Sequence, residues 1–487
     1  MTRGVGASWP RSLRQLIAPL PPIVNPTEQQ RVAVRRSLTR TATTVIALDD
    51  DPTGSQVVHD VEVVTGEDPA DLAALLDPPS GLGFVLTNSR ALDRSAAVAL
   101  NQRLAERLLT DAASQGRRVE FVSRGDSTLR GHVPAEPETL TTVLAEAGQP
   151  VDLITLCPAF PEAGRITIDG LHLVGTADGF VPAGESEFAR DATFGYRASS
   201  LPEWIEERTG GDTPASAVTV LSAAELRTRE PVQIAQRLAA RERGTIVAID
   251  AVVPQDLSVA AIVLATLRSS GHRLLHRSGP SLLGPLVGQR PIDPLGVDGL
   301  RRDRRSPGGG IVVVGSHTTV STRQLAELLR AVPGLLHVEL DVPSLLADAA
   351  REVDRVLEEL AVHAAGQDVV ISTSRQRVDG ADRADSLALA RRVSDAVVRI
   401  VGTLVKAATP AYLVAKGGIT SSEVATSGLG VRRATVLGQL RLGQLSVWEL
   451  GPESACPGLP YVVFPGNVGD HTTLAAVVAL LRDARQT

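Results

Sequence analysis

Apolar positions along the chain cluster into short, β-branched runs, and the stretches between them are rich in Ala, Leu and Arg. Runs of this length bounded by Gly, Pro or polar residues predict buried parallel strands, and the intervening periodicity predicts helices. Between residues 43 and 285 the strand candidates are Val45–Leu48, Gly83–Thr87, Val119–Ser123, Leu153–Cys157, Val218–Leu221 and Thr245–Asp250, alternating with helical segments such as Ser95–Ala112. Segment 286–309 is charged, aperiodic and rich in Pro and Gly, which predicts a linker. The alternation restarts at Ile311–Val314 and runs through a helix at Ser321–Leu329, strands at Leu335–Leu340 and Asp368–Thr373, and a long helix around Ser386–Val405. Strands at Ala411–Val414, Thr435–Val436 and Tyr461–Phe464 and a last helix from Thr472 complete it. The expectation is an α/β protein of two domains with largely parallel sheets, 43–285 and 310–487, with the site in the cleft between them. Residues 1–42 read as a strap, because Pro19-Leu-Pro-Pro-Ile-Val-Asn-Pro26 would break any amphipathic helix.

Composition narrows the function classes. The net charge of −6 and the lack of a basic stripe with interleaved aromatics argue against a nucleic-acid partner. Cys157 and Cys456 lie far apart, without the spacing of a zinc site or a disulfide scaffold, so two reduced thiols in a cytoplasmic protein are expected. No apolar run approaches the roughly 20 residues that span a bilayer, so no membrane role is expected. Arg3, Arg11 and Arg14, with no acid before Glu28, faintly resemble a transit peptide, but no continuous apolar core accompanies them.

The chemistry is written where the strands end. Val45–Leu48 runs into Asp49, Asp50 and Asp51 and then Pro52-Thr53-Gly54. Three adjacent carboxylates repel one another, which suits them poorly to packing and well to gripping hydroxyls, a metal ion or a proton; the alternative is a solvated acidic turn. The next runs deliver Asn88-Ser89-Arg90 and Arg124-Gly125-Asp126-Ser127-Thr128-Leu129-Arg130. Asp accepts from hydroxyls, and Arg90 and Arg130 can hold a carboxylate or phosphate, so a small, hydroxylated, anionic ligand is expected. In the second domain, Gly315-Ser316, the run Lys416-Gly417-Gly418-Ile419-Thr420, and Gly466 each follow a strand, as glycine turns that cradle phosphate do. Neither the Walker pattern nor the dinucleotide glycine fingerprint is present. His59, His132 and His172 are not spaced as metal ligands, and no protein-borne metal site is expected.

The ordered motifs Asp-Asp-Pro-Thr-Gly (50–54), Thr-Asn-Ser-Arg (87–90), Arg-Gly-Asp-Ser-Thr-Leu-Arg-Gly (124–131), Pro-Ala-Phe-Pro-Glu-Ala-Gly-Arg (158–165), Lys-Gly-Gly-Ile-Thr-Ser (416–421) and Pro-Gly-Asn-Val-Gly (465–469) resemble those of the four-carbon acid sugar kinases. The resemblance covers nearly everything after residue 40. It implies transfer of a phosphate from ATP to a hydroxyl, the terminal one, of an acid such as threonate, erythronate or 3-oxo-tetronate. The first domain would then hold the acid and the second ATP, with Mg²⁺ bridging the phosphates. Asp50 and Asp51 become the candidates for the general base. Thr53, Gly54, Ser89, Arg90, Asp126, Ser127, Arg130 and Arg165 become candidates for the acid, and Ser316, Lys416, Gly417, Gly418, Ile419, Thr420 and Gly466 for the nucleotide. Three readings stay open: Asp126 either acts in the site or caps a helix beginning near Ser127, Arg165 either reaches the acid or pins its loop, and Lys416 either meets phosphate or is solvated on its turn. Where many relatives carry Glu the chain has Ile419, and where many carry Lys-Ser it has Phe464-Pro465. The opposing reading is a sugar-acid sensor of the same fold without transfer, and a two-domain dehydrogenase lacks its fingerprint. A homodimer is the candidate assembly.

Overall fold

The computed structural model describes residues 9–51, 53–301, 308–362, 366–376, 378 and 383–486, the last range with backbone alone at 383–387 and 486. Pro52 of the acidic motif and positions 302–307 of the linker lie outside the described residues. The chain divides into two compact units, one of residues 1–54 and 66–291 and the other of residues 55–65 and 292–487.

The first unit is built on seven parallel strands in the order Leu82–Leu86, Thr43–Asp49, Arg118–Arg124, Leu274–Ser278, Leu153–Cys157, Thr245–Ile249, Thr219–Leu221. Thr43–Asp49 is buried at every position, as a strand covered on both faces must be, and this is why its centre, Val45–Leu48, is a continuous apolar run rather than an alternation. Helices Arg94–Ser114 and Pro254–Ser269 are among those that pack around the sheet, and a small antiparallel sheet of Arg165–Ile168, Leu171–Thr176 and Gly179–Pro182 is added to it. The strap contributes more than a strap. Helix Glu28–Arg40, opened by a reciprocal Thr27/Gln30 capping box, buries Val34 and Leu38, and its Ser37 accepts a hydrogen bond from Arg268 at 2.9 Å.

The second unit carries five parallel strands, Leu336–Leu340, Val369–Thr373, Ile311–Val314, Leu413–Lys416 and Pro460–Phe464, in that spatial order. Three antiparallel strands extend it: Leu445–Leu450, Arg433–Arg441 and Val61–Val64. Thus residues 55–65, which the sequence pattern assigns to the first domain, join the second unit, because Val61–Val64 pairs with Arg433–Val436 and the Trp448 indole donates to Ser55 Oγ at 2.9 Å. Two described residues of the expected linker are also built in. Leu300 is buried in the second unit's core, and the Leu295 amide donates to Gln439 O.

Candidate functional site

In the first unit three adjacent strands end side by side and deliver one continuous network of charge. Asp49 is fully buried; its Oδ1 accepts from Arg124 Nη1 at 2.6 Å and from the Asp51 amide at 3.0 Å. Asp50, with a side chain 2% exposed, accepts from Arg90 Nη2 at 2.7 Å and lies 4.0 Å from Arg124 and 3.8 Å from Arg277. Asp51 is the open member, 28% exposed, bound to Arg90 at 3.0 Å and to both the amide and hydroxyl of Thr53. Arg90 also lies 4.0 Å from Asp126, which accepts from Arg130 Nε at 2.6 Å, and Arg130 stands 3.6 Å from Asp191. Acid and base therefore alternate from Asp50 through Arg90 and Asp126 to Arg130.

The electrostatics differ along this row. Burial, with Asp50 and Asp51 beside it, pushes the Asp49 carboxyl up to about 7. Burial would also raise Asp51, but Arg90, Arg124 and the Thr53 hydrogen bonds hold it below the usual carboxylate range. Asp126 is likewise buried yet held well below that range by Arg90, Arg130 and Thr128. The Asp49 Oδ2 and Asp50 Oδ2 atoms are buried without a hydrogen-bond partner. Gly54 is required for space: a Cβ there would lie 1.7 Å from Asp49 Oδ2 and 2.5 Å from Arg124 Nη1.

Other predicted residues serve from behind. Ser89 is fully buried and gives its hydroxyl to Glu136, and Ser127 is buried with its carbonyl accepting from His172 Nε2 at 2.7 Å. No helix begins near Ser127. Residues 125–134 form turns and the next helix is Ala135–Glu146, so Asp126 binds the Thr128 amide and hydroxyl within its own turn instead of capping a helix. Arg165 donates to the Ala163 carbonyl, keeps a buried Nε without a partner, and shares the Phe188 ring with Arg130, their guanidinium carbons 5.8 and 5.1 Å from its centroid. Two residues missed in the sequence complete the network. Arg277, at the end of Leu274–Ser278, pairs with Glu136 at 3.1 Å and faces Asp50. Its signal was present as Leu-Leu-His-Arg-Ser-Gly, one more short run ending in polar groups; Glu136 looks like any acid in a first helical turn.

In the second unit the three glycine turns converge. A Cβ on Gly466 would lie 2.5 Å from Ser316 Oγ and 3.9 Å from Gly417 Cα, and one on Gly315 would lie 2.2 Å from Thr420 Oγ1. Gly417 has φ +130°, a conformation that glycine permits, whereas Gly418 has open space around it. The Gly417 amide is spent on Phe464 O, so this residue serves close approach rather than donation. Lys416 is neither solvated nor extended. It is fully buried over the Phe464 ring, its Nζ donating to Pro465 O at 3.1 Å and Gly466 O at 3.4 Å, and burial pushes its ammonium down to about 7. Thr318 and Ser321 hydroxyls bind the same Gly466 carbonyl at 2.8 Å each. Because the peptide is planar and trans, pinning that carbonyl aims the Asn467 amide the opposite way. Beside the turns opens a cavity of about 310 Å³ whose wall is apolar, with Leu389, Val393, Val397 and Val424, and whose rim includes Gly315 and Thr420. Ile419, 71% exposed, stands at this cavity.

A model of a sugar-binding N-terminal domain matches residues 45–286, and one of a nucleotide-binding C-terminal domain matches residues 311–474. The fold is similar to that of a solved Haemophilus influenzae protein from a family of unknown function, at 15% identity and TM-score 0.62, covering 91% of this chain and 99% of that one. It is also similar to a Salmonella typhimurium protein named as a candidate tRNA synthase, at 16% identity and TM-score 0.66, covering 90% of this chain and 98% of that one. No curated protein matches the chain. Among the described residues no helix is long and apolar enough to cross a membrane.

Proposed function

Since the chain belongs to the four-carbon acid sugar kinase family, we propose that it transfers the γ-phosphate of ATP to a hydroxyl, the terminal one, of a four-carbon sugar acid such as threonate, erythronate or 3-oxo-tetronate. The observation that carries this reading is Asp51: a carboxylate at the end of a buried strand, accessible on one side and fixed on the other by Thr53 and Arg90. A base held in this way is suited to orient and deprotonate a hydroxyl, and phosphoryl transfer depends mainly on such positioning and on charge neutralisation. Asp50 would keep Arg90 in place. Arg130 and Arg165, on the Phe188 ring, would receive the acid's carboxylate, with Asp126 accepting from a hydroxyl between the two ends.

For the nucleotide, the converging turns at Ser316, Gly417 and Gly466 would admit the phosphates, and the apolar cavity beside them would take the base. Residues Gly418, Ile419 and Thr420 run from the one to the other. A Mg²⁺ ion would arrive on the triphosphate. Such an ion bridges phosphate oxygens and offsets the charge that builds on them.

The test is a coupled ADP-release assay over a panel of four-carbon sugar acids. The expected result is turnover above the ATP-only background with at least one acid. Binding of both acid and ATP with no acid raising turnover would overturn the kinase reading in favour of a sensor.

A further inference from the structure

Among the described residues Arg375 has no carboxylate in ion-pair contact, and Glu339 acts on it only from beyond that range. Other arginines of the second unit are paired: Arg441 with Asp470 at 3.0 Å, and Arg482 and Arg485 both with Asp368. Arg375 has no carboxylate within 4 Å among the described residues. Its Nη2 donates to the Ser316 carbonyl and, at 3.4 Å, to Thr322 Oγ1, while its Nη1 donates to the carbonyls of Val314 and Thr373, both at 3.4 Å. Its Nε is buried without a partner. Holding a half-buried cation among neutral acceptors is unfavourable unless an anion joins it, and burial indeed draws this guanidinium below its ordinary pKa. The other cation at the turns does not serve that purpose, since the Lys416 ammonium is enclosed by Phe464 and the Pro465 and Gly466 carbonyls.

Resting on the nucleotide reading above, we infer that Arg375 is the positioning cation of the triphosphate site, acting through the Ser316 turn. By holding the Ser316 carbonyl it aims the next amide, that of His317, to the opposite side of the peptide plane, and its charge adds to the attraction for any phosphate seated on that turn. Lys416 does the corresponding work on the Gly466 turn by geometry alone.

The experiment is isothermal titration of the full chain and of Arg375→Gln and Arg375→Lys with Mg·ATP, ADP, AMP and adenosine, repeated across a salt series. In Arg375→Gln, Mg·ATP affinity should fall about tenfold or more while adenosine affinity stays within about twofold. The slope of log Kd against log salt should also become shallower, and Arg375→Lys should recover part of both. A purely structural arginine would leave the slope unmoved, and that result, or an unchanged ratio of ATP to adenosine affinity, would overturn the inference. If Arg375→Gln does not fold, the intact protein decides: its Mg·ATP affinity should fall as salt rises while its adenosine affinity does not, and a Mg·ATP affinity independent of salt defeats the charge role. Failure of the unaltered chain to bind any nucleotide would instead defeat the functional reading, and this inference with it.

Discussion

Asp50 and Asp51 are neighbours in sequence but not in circumstance, and substituting each by Asn should separate their roles. The Asp50 side chain is 2% exposed and faces Arg90 at 2.7 Å, Arg277 at 3.8 Å and Arg124 at 4.0 Å. Asn at position 50 preserves shape but leaves the buried Arg124 and Arg277 and the half-buried Arg90 with less negative charge among them, and removing one partner of a buried pair costs about 3–5 kcal/mol. With stability changing the melting temperature by roughly 2–4 °C per kcal/mol in a domain of this size, Asp50→Asn should lower the first unit's calorimetric transition by about 6 °C or more. Asp51 is 28% exposed and meets water, so Asp51→Asn should cost only about 1 kcal/mol. Its effect should fall on chemistry instead: loss of a general base lowers kcat by about two to four orders of magnitude. Scanning calorimetry and the ADP-release assay on the two variants read both quantities. A stable Asp51→Asn protein with near-normal kcat would remove Asp51 from the mechanism. A stable Asp50→Asn protein that loses kcat instead would transfer the role of base to Asp50 and refute the charge argument.

Three further outcomes follow from the same geometry. Gly54→Ala should destabilise the first unit by about 3 kcal/mol or more in denaturant unfolding, because its Cβ would collide with the buried Asp49–Arg124 pair; a variant as stable as the parent would contradict the packing. Gly417→Ala should raise KM for ATP sharply, since its φ of +130° and its closeness to Thr420 Oγ1 resist a side chain, whereas Gly418→Ala, with open space around it, should change KM little; equal effects in ATP titrations would dismiss this distinction. Lys416 has its folded pKa drawn from 10.5 down to about 7, so the fold bears the cost of a buried charge in full below pH 7 and is relieved of it as pH rises toward 10.5. Any stability that Lys416→Met gains over the parent should therefore shrink between pH 7 and 9.5 in thermal melts, and a difference independent of pH would mean that the ammonium is not desolvated.

What could be read in the sequence, and what could not, divides along one physical line. Strands buried on both faces, such as Thr43–Asp49 and Ile311–Val314, carry unbroken apolar runs, Val45–Leu48 and Ile311–Val314, and announce themselves, and the polar clusters that follow mark the site. Leu274–Ser278 is equally buried, yet its pattern predicts no strand because two of its five residues are His276 and Arg277. Hydropathy reads these as surface, whereas the fold pairs them internally, His276 with Glu120 at 2.9 Å and Arg277 with Glu136 at 3.1 Å, across more than a hundred positions of chain. The same holds for Val61–Val64, whose place is decided by a partner strand at Arg433–Val436 and not by its own four residues. Arg375 carries no sequence signal, since what sets it apart is where its donors end in three dimensions, on the carbonyls of Ser316, Val314 and Thr373. Local pattern thus records which residues are buried among apolar neighbours. It is silent on which charges have been buried together, and in this chain one such pair, Asp50 with Arg90, is what holds Asp51 in position.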